Sequence, residues 1–116
     1  MVSIGGKHLI VDYWGINNKL LSDNKTLTEI LREGAIRSGA TILFDHFHHF
    51  GGEYGVTGVL VLAESHISIH TWPEEQYCSI DIYMCGECDP NIAEQHIRNQ
   101  LEPTIFKIIE HKRGEL

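Results

Sequence analysis

Long apolar runs are missing from this chain: nowhere do about 18 uncharged apolar residues follow one another, so no membrane-spanning helix is predicted. The opening segment, 1–7, likewise lacks the hydrophobic stretch of a signal peptide, and a soluble protein that stays in the cytoplasm is the expectation. Cysteine is scarce. The three present, Cys78, Cys85 and Cys88, are too few and too clustered for a disulfide framework, so they read as reduced thiols, one of them free for chemistry. Positive charge is short as well: nine Lys and Arg stand against 16 Asp and Glu, for a formal net charge of −7. With no Lys/Arg run either, a nucleic-acid surface is excluded, and a cationic substrate suits the chain better. Repeats, linkers and low-complexity stretches are also lacking, which leaves a single domain over 1–116.

What is present is the patterning of a packed α+β fold. His8 to Tyr13 is a short β-rich run, followed by a connection rich in Asn, Asp and Ser over 15–25. Thr26 and Glu29 have capping-box spacing, Leu27, Ile30, Leu31 and Ala35 form one apolar face, and Gly39 is a natural stop, so a first helix is predicted from Thr26. Asp89-Pro90 opens a second, with Ile92, Ala93, Ile97 and Leu101 inward and Pro103 beyond its end. Strands are predicted over Thr41–His48, Val56–Ala63, His66–Thr71, Tyr77–Met84 and Thr104–Glu110. The order β-α-β-β-β-β-α-β gives a two-layer α/β sandwich, a mostly antiparallel sheet with two helices on one face and the other face free. Apolar and polar residues alternate through 66–70 and 78–82, so each strand has a core face and a polar face, and the chemistry belongs on the polar face or at strand ends.

Ser65 falls at a tight connection between two predicted strands, where backbone strain can be stored. If those strands form a hairpin, Glu64 and Ser65 are its central pair, without the Gly or Asn such turns favour. Glu64-Ser65-His66, His70-Thr71-Trp72-Pro73-Glu74 and Cys85-Gly86 resemble the prokaryotic S-adenosylmethionine decarboxylase family. The resemblance extends to Gly39-Ala40-Thr41, Tyr54-Gly55-Val56-Thr57-Gly58-Val59 and Glu110-His111-Lys112-Arg113-Gly114, in the family's order and over nearly the whole chain.

The resemblance implies that the Ser65 hydroxyl attacks the carbonyl of Glu64, and that elimination from the resulting ester leaves a pyruvoyl group, with a β chain 1–64 and an α chain 65–116. No ordinary side chain is an electrophile that condenses with a substrate amine; a pyruvoyl carbonyl is one, and it would hold the substrate as a Schiff base. The family likeness further implies Cys85 as proton donor, His70 as acid/base of processing, and Thr57 in support of processing, where many members have serine. Glu74 corresponds to a carboxylate on the ribose hydroxyls and Phe50 to a ring on adenine, and Trp72 is a candidate to help hold the sulfonium cation. The activity implied is decarboxylation of S-adenosylmethionine to the aminopropyl donor of spermidine and polyamine synthesis. His70 lies about 16 Å along an extended strand from Ser65, at about 3.3 Å per residue, so it is expected to serve the Ser65 of a second copy. The resemblance agrees, implying a homodimer of αβ units with shared sites.

Taken alone, each residue has a plainer reading: Ser65 as a turn serine, His70 as a polar-face histidine, Cys85 as a small buried hydrophobe, Glu74 as a solvated charge, Phe50 as core and Thr57 as a strand former. His66 and Ser68 receive no role. One alternative keeps the pyruvoyl chemistry for ornithine or arginine, with Glu53 or Glu74 on the distal cation. Another is a non-catalytic zinc-binding module built from Cys85, Cys88 and the histidines of 46–49, although no metal is expected.

Overall fold

A computed structural model describes residues 4–116; residues 1–3, part of the opening segment read above, lie outside the described residues. The elements run β1 (Gly6–Trp14), α1 (Asn18–Leu21), α2 (Asn24–Arg37), β2 (Ile42–His49), β3 (Val56–Leu62), β4 (Ser65–Trp72), a 3-10 turn (Pro73–Glu75), β5 (Tyr77–Met84), α3 (Pro90–Leu101) and β6 (Ile105–Arg113). Five of the six strands pair in the order β2-β3-β4-β5-β1, with β6 added beyond β1, and every pairing is antiparallel. The expected sandwich is therefore present, with one short helix and a 3-10 turn added to it. No helix among the described residues is long and apolar enough to cross a membrane.

Alternation places the core. Leu9, Val11 and Tyr13 of β1, Ile67 and Ile69 of β4, and Ile80, Ile82 and Met84 of β5 are buried on one side of the sheet against Leu27, Leu31, Ala35, Ala93 and Ile97 of α2 and α3. At the bottom of that core Tyr13 donates its hydroxyl to Glu94 Oε2 at 2.6 Å, and Arg98 closes the network on the same carboxylate at 2.8 Å. A buried charge is tolerable there because it is both paired and hydrogen-bonded. The opposite sheet face carries Ile10, Trp14, Val61, Trp72, Ile105 and Ile109, all exposed.

The helix starts divide. Asp89 caps α3, accepting from Asn91 N at 3.0 Å with Pro90 in the first turn, as the sequence predicts. The cap of α2 is Asp23 rather than Thr26: its side chain accepts from Thr26 N at 3.1 Å and from the Thr26 hydroxyl at 2.8 Å, so the helix starts two residues before Thr26. The Thr26–Glu29 spacing is a competing signal inside the first turn, and the charged cap three residues upstream prevails. β1 and β6 each extend beyond their predicted ends because they pair with one another from Gly6↔Arg113 to Trp14↔Ile105.

Candidate active site

The β3–β4 hairpin has chemistry at both ends. At one end, Leu62 pairs with Ser65, so the two turn residues are Ala63 and Glu64 and Ser65 is already the first residue of β4. This corrects the expected Glu64-Ser65 centre by one residue: the core needs Ser65, Ile67 and Ile69 on one face, and that parity takes Ser65 out of the turn. Glu64 holds φ 60°, a left-handed conformation that costs a side-chain-bearing residue on the order of 1–2 kcal/mol. Ser65 is buried and its Oγ has no hydrogen-bond partner among the described residues. Beyond the end of β5, the thiol of Cys85 donates to the carbonyl oxygen of Glu64 at 3.2 Å. A strained peptide, a polarised carbonyl and an uncommitted hydroxyl on the next residue thus coincide at 64–65.

Of the other thiols, Cys78 is fully buried, and burial pushes its pKa up to about 12. Cys88 is half-buried against the core edge. Only Cys85 touches the Glu64 carbonyl.

At the other end of the hairpin Thr57 pairs with His70 across the strands, and Thr57 Oγ1 lies 3.1 Å from His70 Nδ1. That contact engages one ring nitrogen and leaves Nε2 for work elsewhere. Beside the pair opens a cleft of about 370 Å³ lined by Phe50, Tyr54, Gly55, Thr57, His70, Thr71, Trp72 and Glu74. Phe50 is braced edge-on by His48, ring centroids 4.7 Å apart. Glu74 sits in the 3-10 turn, which Pro73 starts and Gln76, at φ 51°, ends. The wall is tied from below: the Thr71 hydroxyl accepts from Val56 N at 2.8 Å and donates to Leu21 O at 2.7 Å. Gly55 passes so close that a Cβ would lie 2.0 Å from Thr71 O, which explains the glycine.

The sequence thus names most of the cleft, and Phe50, Thr57, His70, Trp72 and Glu74 come together in it. Ser65, Glu64 and Cys85 come together at the far end of the same hairpin. The two groups do not meet within one chain. Tyr54 and Thr71 were assigned no role from sequence. An exposed tyrosine between glycines in a polar loop is a readable signal for Tyr54, whereas nothing distinguishes Thr71 from an ordinary strand threonine. Among the described residues, no group of three or more His, Cys, Asp or Glu side chains gathers as a metal set.

One end of the hairpin thus holds a buried hydroxyl beside a strained peptide, and the other opens a cleft large enough for a small molecule. Comparison with known proteins gives the family. The family described as S-adenosylmethionine decarboxylase matches residues 7–114. The chain is 45% identical over 112 residues to the S-adenosylmethionine decarboxylase proenzyme of Methanococcus aeolicus, covering 96% of this chain and 95% of that one. It is 39% identical over 110 residues to the proenzyme of Thermotoga maritima, covering 94% and 84%. A crystal structure of the adenosylmethionine decarboxylase from Aquifex aeolicus superposes with a TM-score of 0.89 at 31% identity, covering 99% of this chain and 95% of that one. The chain belongs to the S-adenosylmethionine decarboxylase family.

Proposed function

We propose that this chain cleaves itself between Glu64 and Ser65 and then decarboxylates S-adenosylmethionine, yielding the aminopropyl donor for polyamine synthesis. The observation that carries the reading is the Cys85 thiol on the Glu64 carbonyl beside the buried, partnerless Ser65 hydroxyl. Attack of Ser65 Oγ on that carbonyl forms the C–O bond, and collapse breaks the Glu64–Ser65 C–N bond, leaving an ester and a free amine. Cys85 stabilises the oxygen as charge develops on it. Relief of the left-handed Glu64 favours the cut form. Removal of the Ser65 Cα proton expels the Glu64 carboxylate, and hydrolysis of the remaining fragment releases ammonia. The residues at 64–65 therefore fit a self-generated pyruvoyl group, whose carbonyl, once formed, supplies an electron sink for loss of carbon dioxide.

His70 is the base for that proton, in the tautomer whose Nδ1–H donates to Thr57 Oγ1 and leaves Nε2 as the acceptor. Threonine in place of serine keeps the oxygen that makes this contact. Glu74 accepts from the ribose hydroxyls, Phe50 stacks on the adenine ring, Trp72 forms a further wall, and Cys85 returns a proton to the substrate carbon. Because the two groups stand at opposite ends of one hairpin, a second copy related by a two-fold axis supplies His70, Thr57 and Glu74 to the first copy's Ser65 and Cys85. The exposed apolar sheet face, with Ile10, Trp14, Trp72, Ile105 and Ile109, is the surface for that copy.

An intact-mass spectrum of the denatured protein tests the first step without substrate. Two fragments are expected, the C-terminal one lighter than a serine-started 65–116 by the mass of ammonia. A single full-length mass at every incubation time would defeat the proposal. Product analysis with S-adenosylmethionine, ornithine and arginine then tests the substrate, and only the first is expected to release carbon dioxide.

A further inference from the structure

The wall of the cleft that Trp72 forms is itself held from behind. Trp14 of β1, Tyr77 of β5 and Trp72 of β4 stand opposite one another on three adjacent strands, in one row on the exposed sheet face. The Tyr77 ring is stacked on Trp72 with centroids 5.4 Å apart and planes at 30°, and packed on its other neighbour, Trp14, at 5.6 Å and 33°. Its hydroxyl donates to Asp12 Oδ1 at 2.5 Å, a charge-assisted bond that fixes the ring's tilt. Desolvation, then the bond to Asp12, pushes the Tyr77 pKa up to about 12, so the donor stays protonated throughout the neutral range. Trp72 is itself 42% exposed in the single chain, on the face proposed for the second copy, and within its own chain Tyr77 braces its ring. It also lies 6.3 Å from the His70 ring and immediately precedes the Pro73–Glu75 turn that carries Glu74.

We infer that Tyr77 is a positioning residue of the substrate cleft: anchored by Asp12 and clamped by Trp14, it holds the Trp72 ring, and with it the entry into the Glu74 turn, in the geometry the substrate meets. The inference rests on the reading of Trp72 as a wall of the substrate cleft. Nothing in the reaction passes through Tyr77, which lies outside the lining residues. Its effect is on binding, and it acts through a neighbour. The stack carries more of that effect than the hydroxyl, since the ring contact survives loss of the Asp12 bond while the reverse does not hold.

The test is the kinetics of carbon dioxide release from S-adenosylmethionine by self-cleaved protein, read together with tryptophan emission. The chain has two tryptophans, both packed on Tyr77, so the emission reports this row alone. Tyr77→Ala should raise KM about tenfold with kcat within about twofold, and should red-shift the emission. Tyr77→Phe should restore KM to within about threefold of the parent, and Asp12→Asn should give a similarly small rise. Tyr77→Leu, which keeps bulk and strand propensity but removes the stack, should behave like the alanine variant if that one folds poorly. Trp72→Ala separates the inference from its foundation. If Trp72→Ala leaves KM unmoved, the reading of Trp72 as a wall is wrong and the inference goes with it. If Trp72→Ala raises KM while Tyr77→Ala and Tyr77→Leu do not, despite a shifted emission, Tyr77 does not position the cleft and the inference alone is overturned. A fall in kcat at constant KM in the Tyr77 variants would overturn it equally.

Discussion

Ser65 keeps a buried hydroxyl with no partner, a condition that costs about 1–3 kcal/mol, next to a residue held at φ 60°. Two unfavourable features on adjacent residues make sense if the uncut chain is a transient state whose cleavage removes both. Replacing Glu64 by glycine, which adopts that φ without strain, is expected to stabilise the uncut form by about 1 kcal/mol and to slow cleavage by up to about fivefold. Time-resolved gels of freshly refolded protein read this, and faster cutting by Glu64→Gly would contradict a role for strain. Cys85 acts on the same bond. Cys85→Ala removes the donor to the Glu64 carbonyl, so cleavage should slow by roughly tenfold, the worth of about one hydrogen bond, and the protein that does cut should decarboxylate poorly. Cutting at the parent rate would confine the thiol to the decarboxylation step.

At the scale of elements, the caps show how much the residues disclose. Asp89-Pro90 was legible because cap and first-turn proline coincide and nothing nearby competes. Thr26 is not the cap of α2: only the folded chain shows Asp23, three residues upstream, bonded to both the amide and the hydroxyl of Thr26. Those bonds hold the Asp23 carboxyl below the usual carboxylate range, the amide of Thr26 first and its hydroxyl second. A carboxyl with a depressed folded pKa adds stability above its unfolded value near pH 4, and that contribution is lost as pH falls through the folded value. Asp23→Ala should therefore lower unfolding free energy by about 1 kcal/mol at neutral pH, and the difference from the parent should shrink in acid, as urea titrations would record. The α1 helix, at four residues, is too short to leave a periodic trace. Its presence matters to the site, since Leu21 O at its end receives the Thr71 hydroxyl under the cleft. Glu94 was likewise invisible in sequence: a helix glutamate reads as solvated, and only the sheet register brings Tyr13 beneath it. The candidate site residues were legible as a set through their motif, and the structure gathers them at the two ends of one hairpin. The shift of the turn to Ala63-Glu64 was not, because it follows from which face of β4 the core claims.

For the whole molecule, the exposed sheet face carries histidines as well as apolar side chains. His66 lies on it among His8, Tyr83, Asp81 and Arg113, with His8 Nε2 2.9 Å from Asp81 and Arg113 donating to His8 Nδ1 at 3.3 Å. Burial first, then the neighbouring His8, lowers the His66 pKa, while Asp81 opposes the shift and Arg113 adds to it. A histidine depressed in the folded state favours folding above its unfolded value of about 6.5 and works against it as pH falls below it. Folding stability should thus fall between pH 7.5 and about 5.5, readable by urea titration across that range, and His66→Gln should flatten that dependence. The proposed two-fold arrangement makes a sharper demand on activity. Cys85→Ala damages the half-site at one end of the hairpin and Glu74→Ala the half-site at the other, so each homodimer has two crippled sites. In a mixed dimer one site receives both lesions and the other neither. If the chains assort at random, half of the dimers are mixed and each has one sound site of two, so co-expression should restore about a quarter of the parent rate. Activity no greater than that of the separate variants would mean that each chain builds its site alone, which the separation of Ser65 from His70 along β4 does not allow without a large rearrangement of the hairpin.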